Sequence, residues 1–95
     1  MEYSKASLKN IKANAKALGV EVKPSNRKNK KFDVYDKDGN YITSIGDDRY
    51  KDYHLYKQKD KKLAEERRRL YKIRHDKHRH DKGTASYYAD KILWD

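Results

Sequence analysis

The sequence contains no cysteine, which excludes disulfide bonds and thiolate metal sites. It also lacks any apolar stretch approaching the roughly 18 residues of a membrane-spanning helix. The first ten residues, MEYSKASLKN, hold no apolar run of the kind found in secretory signals, so we expect a protein made in the cytosol. Phosphate-cradling glycine loops and nucleophile motifs are missing as well, so we expect no enzymatic activity.

Apolar residues are scarce for a chain that must build its own core. They make up 35% of 95 residues, against 42% charged residues. Nine tyrosines and one tryptophan compensate, because each aromatic side chain buries on the order of 150 Å² or more. The sequence predicts one small α+β domain, residues 1–95, with an N-terminal helix, a β-hairpin, a long basic helix and a short C-terminal helix.

An amphipathic helix is predicted over residues 5–18. Its apolar stripe consists of Leu8, Ile11, Ala15 and Leu18. These positions are three, four and three residues apart, which is the spacing of one helix face. Ser4 or Ser7 is placed to cap the start, and Gly19 follows the last apolar position, where a left-handed residue ends many helices.

A β-hairpin is predicted over residues 31–46. The sequence Asp36-Lys37-Asp38-Gly39 fits a type I turn with Gly39 in a left-handed bulge position. This register places Val34 opposite Ile42 and gathers apolar residues on one face. A shorter two-residue turn places Val34 opposite Thr43 instead. We expect the first register because it buries more apolar surface.

Two further helices are predicted, a long one over residues 53–78 and a short one over residues 84–94. The apolar positions of the long helix are Tyr56, Leu63, Leu70 and Ile73. They form a narrow stripe, so we expect most of this helix to face solvent or a partner. Thr84 is placed to cap the short helix, which we expect to dock through Tyr88, Ile92 and Trp94.

Positive charge is concentrated in residues 54–82, which contain 12 Lys/Arg and 5 Asp/Glu. This segment therefore has a net charge of +7 in a chain of net charge +10. A second basic segment, predicted as a loop, covers residues 23–31. Such surfaces favour a polyanion, and nucleic acid, duplex DNA in the first instance, is the leading partner. The predicted phosphate contacts are Arg27, Lys28, Lys30, Lys31, Lys61, Arg68, Lys72, Arg74, Lys77 and Arg79.

The arrangement of these cations admits two interpretations. In a continuous helix Lys61, Arg68, Lys72 and Arg79 share one face, at spacings of seven, four and seven. Such a row would lie along a phosphate backbone. In the alternative, the helix is merely solvated, and Glu65 and Glu66 pair with neighbouring arginines.

Tyrosines between basic residues also admit two roles. Tyr50, Tyr53 and Tyr56 lie beside Arg49, Lys51 and Lys57. Such tyrosines stack on exposed bases in proteins that bind single strands. In a domain with one Phe and one Trp, however, tyrosines must also supply the core, and we expect the core role for this set.

No metal or cofactor site is expected. His75, His78 and His80 do not form a zinc set, because no cysteine is present and His80 points away from the other two on a helix. The turn at residues 36–40 resembles a calcium loop. Its first and twelfth positions would be Val34 and Ile45, whose side chains offer no oxygen ligand.

The order of several short segments resembles a family of small basic proteins of large nucleocytoplasmic DNA viruses, including those that infect algae and amoebae. The matching segments are residues 29–31, 45–46, 50–53, 71–75 and 87–94. The resemblance covers about residues 25–94, and the spacing of the last three segments is its most specific part. It implies a late viral product that is carried in the virion, found in host cytoplasm or nucleus during infection. It transfers no binding residue.

Two functions from different classes fit these observations. The first is a genome-associated protein that binds nucleic acid through phosphates, largely independently of sequence, because no recognised base-reading module is present. The second is a minor capsid or internal scaffold protein whose basic surface contacts acidic faces of shell proteins. The segment 32–52, with a net charge of −3, favours the second, since it would repel a polyanion wrapped around the domain.

Overall fold

A computed structural model describes residues 2–95, in which four helices accompany one three-stranded antiparallel sheet. The elements are α1 (Lys5–Ala17), β1 (Glu21–Pro24), β2 (Lys30–Tyr35), β3 (Tyr41–Asp47), α2 (Tyr53–Lys59), α3 (Lys61–Arg74) and α4 (Ala85–Leu93). The predicted α+β class is confirmed, and three of its details differ from the prediction.

Helix α1 forms as its stripe predicts. The Ser4 hydroxyl caps the start by accepting a hydrogen bond from the Ser7 backbone N–H at 3.1 Å. Ile11 and Ala15 are buried. Gly19, at φ +77°, follows the helix in the left-handed conformation, which glycine adopts without steric cost.

The first correction concerns residues 21–24, which form a strand that the sequence analysis did not predict. Strand β1 pairs antiparallel with β2, with Val22 opposite Val34 and Pro24 opposite Phe32. The sheet order is β1-β2-β3, so β1 is an edge strand, the position in which a sheet tolerates proline. Only Val22 of this strand is buried. A single inward position in four residues is too short a pattern to identify from sequence.

The second correction concerns the hairpin register. The predicted turn is present, with the Gly39 N–H bonded to the Asp36 carbonyl at 3.0 Å and Gly39 at φ +84°. Tyr35 faces Tyr41, as the preferred register requires. An irregularity then shifts the pairing, so that Val34 faces Thr43, as in the rejected register. A bulge accommodates this change by leaving one extra residue on β3.

The third correction divides the helix predicted over residues 53–78. Helix α2 ends at Lys59 and α3 begins at Lys61, with Asp60 extended between them at φ −156° and ψ 108°. The Asp60 carboxylate accepts hydrogen bonds from the backbone N–H groups of Lys62 (2.9 Å) and Leu63 (3.2 Å). An N-cap of this kind starts a new helix, and its local hydrogen bonds outweigh the good helix propensity of the flanking residues. Helix α3 then ends at Arg74.

The break also changes which face of the segment is buried. Ala64 and Tyr71 are the buried residues of α3. Leu63, Leu70 and Ile73, from the predicted stripe, are 40%, 41% and 63% exposed. Helix α3 packs beside α2 after the turn at Asp60. The face of α3 that is buried therefore differs from the face that a continuous helix over residues 53–78 would bury.

The core lies between the sheet and the two terminal helices. Helix α1 contacts β1, α4 contacts β3, and the two helices contact each other. The buried cluster consists of Ile11, Ala15, Val20, Val22, Phe32, Val34, Ile45, Ile92 and Leu93. Helix α4 is capped by Thr84 as predicted, and Ile92 is fully buried, with Tyr88 and Trp94 packed against the same cluster.

Candidate nucleic-acid interface

An open cleft of about 670 Å³ lies between the end of β3, the segment 48–52, and helices α3 and α4. Its position follows from the chain break at Asp60, since α3 packs beside α2 and its residues line the cleft together with those at the end of β3. The size falls within the range of about 300–1,000 Å³ that is typical of ligand sites.

Four cations line this cleft without an ion pair. Lys30 lies at the start of β2, Lys51 lies in the segment before α2, and Arg67 and Arg74 lie on α3. Arg67 and Arg74 are seven residues apart, close to two helical turns, so they share a face. None of the four has a carboxylate within 4.0 Å among residues 2–95.

The positive charge of the cleft is reinforced by a neighbour outside it. The nearby Lys59 side chain lowers the pKa of Lys51, because two neighbouring ammonium groups repel each other. A cation whose charged form is disfavoured by another cation gains from an anion placed between them. A bound anion would therefore stabilise the charged forms of both lysines at this part of the rim.

Each of the two carboxylates that line the cleft forms an ion pair with a neighbouring cation. Asp47 receives two hydrogen bonds from the Arg49 guanidinium, at 2.8 and 3.0 Å, and Arg49 lowers the pKa of Asp47 to about 2. Asp52 pairs with Lys31, whose Nζ lies 2.9 Å from Oδ2. Because each acid has its own cation, the four unpaired cations give the cleft a net positive charge.

Aromatic rings occupy the cleft together with these cations. Tyr50 lies on the rim and is 67% exposed. On the α3 side, Tyr71 stacks on Trp94 (centroids 4.2 Å apart, planes 7° apart) and on His75 (4.2 Å, 28°). Burial, followed by the nearby Asp90 carboxylate, raises the pKa of Tyr71 to about 12, so its hydroxyl stays protonated.

The turn that carries Tyr50 is fixed by local hydrogen bonds. The Tyr50 backbone N–H donates to the Asp47 carbonyl at 3.1 Å, and the Arg49 backbone N–H donates to the Asp47 carboxylate at 2.9 Å. These bonds fix the backbone at Tyr50, whose ring is mostly in solvent with the Arg49 guanidinium 5.9 Å from its centre, so the core role expected for this tyrosine is wrong. The other two tyrosines of the sequence-based set behave differently. Tyr53 is buried, as the core role predicts, and Tyr56 is half-buried beneath Lys51 and Arg67.

Five of the ten predicted phosphate contacts form ion pairs within the domain, and three of these five pair with acids whose side chains are at most 2% exposed. Lys31 is almost fully buried against Asp52. Lys72 lies 2.6 Å from Asp90 Oδ1 and 2.9 Å from Asp95 Oδ1. Arg79 lies beyond the end of α3, 3.6 Å from Asp90 Oδ2. The predicted four-residue row therefore does not exist as one helix face.

Asp90 explains why two of these cations turn inward. Its side chain has no exposed surface, and neither carboxylate oxygen accepts a hydrogen bond of good geometry within residues 2–95. The ion pairs to Lys72 and Arg79, with Lys91 at 3.6 Å, offset its buried charge. These contacts connect α4 to α3 and to the segment after it.

The remaining predicted contacts are distributed over the surface. Arg27 lies 3.6 Å from Asp33 and stacks on Tyr41, and Arg68 pairs with Glu65 at 2.5 Å and stacks on Tyr53. Lys28, Lys61 and Lys77 are exposed and carry no ion pair within residues 2–95. Lys30 and Arg74 are the two predicted contacts that line the cleft without such a pair.

The sequence analysis did not select Lys51 and Arg67 as phosphate contacts. The seven-residue spacing of Arg67 and Arg74 was available as a signal for a second row on α3. Nothing in the sequence indicates that Lys51 lies near that row, because their proximity depends on the break at Asp60 and on the packing of α3.

No family model matches this chain, and no curated protein or solved structure matches it. No three histidine or acidic side chains among residues 2–95 are grouped so that they could hold a metal ion. Within the same residues, no helix has the length and apolar character needed to cross a membrane.

Proposed function

We propose that this chain is a non-enzymatic protein that binds nucleic acid through phosphate contacts, largely independently of base sequence. The observation that supports this function is the set of four unpaired cations around one cleft, next to exposed aromatic surface. The buried acids Asp33, Asp52 and Asp90 pair with other cations, so the four cations of the cleft are available to an external anion. Nucleic acid is the abundant anion with both phosphates and aromatic bases.

The biological setting is part of the same proposal. The segments that resemble small basic proteins of large DNA viruses support association with a viral genome, in the virion or in the infected cell. At net charge +10, binding would be driven by the release of counterions from the polyanion and would weaken steeply with salt.

The function is tested by the salt dependence of binding. A labelled DNA with a duplex part and a single-stranded tail would be titrated with the protein from about 50 to 300 mM salt, with fluorescence anisotropy as readout. Submicromolar binding with a slope that implies about six or more phosphates supports the proposal. Binding that disappears by about 150 mM salt contradicts it.

A double variant locates the contacts. Arg67→Ala with Arg74→Ala should reduce the salt slope by about two units, because two phosphate contacts are lost. The matched control is Lys9→Ala with Lys12→Ala, which removes the same charge from the exposed face of α1. If the control reduces the slope and the cleft variant does not, nucleic acid binds elsewhere and the proposed interface is wrong.

A second candidate function is contact with acidic faces of viral shell proteins. It is favoured by the exposed side chains of Leu63, Leu70 and Ile73 on α3, since apolar residues exposed together mark protein-contact surfaces. Weak, salt-sensitive DNA binding combined with stoichiometric co-purification with shell proteins would support this candidate over the first.

A further inference from the structure

Tyr50 makes little contact with the folded domain apart from the Arg49 guanidinium, which lies 5.9 Å from the centre of its ring. It is the most exposed of the large apolar residues, at 67%, whereas Tyr53 is 6% exposed and part of the core. A tyrosine ring in water contributes little to stability, because the hydrophobic gain depends on the area removed from solvent. Its ring lies on the rim of the cleft that the four unpaired cations line.

We propose that the cleft holds an unpaired nucleotide of a single strand, with its base stacked on Tyr50 and its phosphates beside Lys30, Lys51, Arg67 and Arg74. This inference rests on the proposed function and narrows it, since it names single-stranded nucleic acid as the preferred form. Stacking platforms inside basic grooves are the means by which proteins bind single strands without reading their sequence.

The shape of the site favours a single strand over a duplex. In a duplex, each base is covered on both faces by its neighbours, so stacking on Tyr50 would require a base to be flipped out at a cost of a few kcal/mol. A single strand presents base faces without that cost. A cleft of about 670 Å³ is also concave, and a flexible strand enters such a space more readily than a rigid rod does.

Residues of α3 and the end of α4 give the cleft a second stacking surface. Trp94, Tyr71 and His75 form a column in which both faces of Tyr71 are covered, so Tyr71 holds the other two rings in place. Trp94 and His75 are half-buried and line the cleft. Burial, and then the nearby Arg74, lowers the pKa of His75, which keeps the ring neutral near pH 7 and suited to stacking. A second base extends this column.

The direct test compares strands with equal numbers of phosphates. An unstructured single strand of about eight nucleotides and a duplex of about four base pairs closed by an inert linker would be titrated in the same buffer. The single strand should bind more tightly. Tyr50→Ala should weaken single-strand binding about 5- to 150-fold, the range for loss of one aromatic–base stack, and should leave duplex binding unchanged.

Two controls separate stacking from other effects. Tyr50→Phe keeps the ring and should retain the affinity. A single strand of abasic sites keeps the phosphates but loses both base stacks, so it should bind the unmodified protein more weakly than the normal strand binds Tyr50→Ala, which loses only one. Tyr50→Ala should also leave the thermal midpoint unchanged, since the side chain is mostly in solvent.

The outcomes distinguish this inference from the function on which it rests. Equal or tighter binding of the duplex, or an unchanged single-strand affinity of Tyr50→Ala, overturns the single-strand inference and leaves phosphate binding intact. A free mononucleotide that binds as tightly as the strand also overturns it, in favour of a small-ligand site. Failure of the protein to bind either form overturns the proposed function itself.

Discussion

Replacing Lys31 by methionine removes the cation from an ion pair that joins three parts of the fold. Lys31 lies on β2, and its Nζ lies 2.9 Å from Asp52 Oδ2, with the two side chains 6% and 2% exposed. The same carboxylate accepts a hydrogen bond from the Tyr3 hydroxyl and, through Oδ1, from the backbone N–H of Leu55 at 3.0 Å, which caps α2.

The expected cost follows from this geometry. Removing one partner of a buried ion pair typically costs about 3–5 kcal/mol, because the other charge stays buried without its counterion. Asp52 keeps its hydrogen bonds to Tyr3 and Leu55, so we expect Lys31→Met to lie near the lower end, at about 3 kcal/mol. Domains of this size are stable by about 5–15 kcal/mol, so the loss is a large fraction of the total.

Urea unfolding followed by circular dichroism measures this loss. With an m-value of about 1.5 kcal/mol/M, the midpoint of Lys31→Met should fall by about 2 M. The double variant Lys31→Met with Asp52→Asn should cost less than the sum of the two single changes by more than about 1 kcal/mol, since it removes both charges. A loss below about 1 kcal/mol for Lys31→Met would refute the assignment of a structural ion pair.

The same variant tests the sequence-based role of Lys31. Because its ammonium is buried against Asp52, folded Lys31→Met should bind nucleic acid with an unchanged salt slope. A slope reduced by about one unit would show that Lys31 contacts a phosphate, as the sequence analysis predicted.

Two further predictions concern pH and packing. Burial lowers the pKa of His54 below 6.5, so the unfolded chain takes up a proton at a pH where the folded protein does not. The free energy of unfolding therefore falls as the pH drops below about 6.5, by at most about 1.4 kcal/mol per pH unit. His54→Gln should reduce the dependence of the free energy of unfolding on pH between about pH 7.5 and 5.5. If the urea midpoint changes between these two pH values by the same amount in the variant as in the unmodified protein, the prediction is wrong. Gly46→Ala places a Cβ 2.9 Å from a Leu93 methyl at φ +79°, whereas Gly39→Ala, at φ +84°, meets open space. We expect Gly39→Ala to lower the free energy of unfolding by about 1–2 kcal/mol, because of its left-handed backbone alone. Gly46→Ala should cost about 1–3 kcal/mol more than Gly39→Ala because of the added clash, and equal melting temperatures of the two variants would contradict this.

Local signals predicted most of the elements. The stripe of α1, the cap at Thr84 and the turn at Gly39 each depend on residues within about four positions of one another. Asp60 was also a local signal for the break, since Asp is a strong N-cap residue, and the sequence analysis did not use it. Strand β1 gave too short a pattern, because only Val22 faces the core.

The candidate interface was predicted in part. Sequence indicated that the surface is cationic, and it placed Lys30 and Arg74 among the phosphate contacts. It did not distinguish them from Lys72 and Arg79, because a cation paired with a buried acid and a cation facing solvent look alike in sequence. The distinction depends on Asp90, which lies 18 residues from Lys72 in the chain and forms an ion pair with it at 2.6 Å.

The amino-acid sequence alone determined the α+β class, the positions of α1, α4 and the hairpin turn, and the net charge of +10, since these depend on composition and short-range spacing. The tertiary structure decided which cations are available and which aromatic rings remain in solvent. It did so because burial and ion pairing depend on distant segments meeting, as when α3 turns at Asp60 and brings Arg67 and Arg74 to the cleft whose rim carries Tyr50.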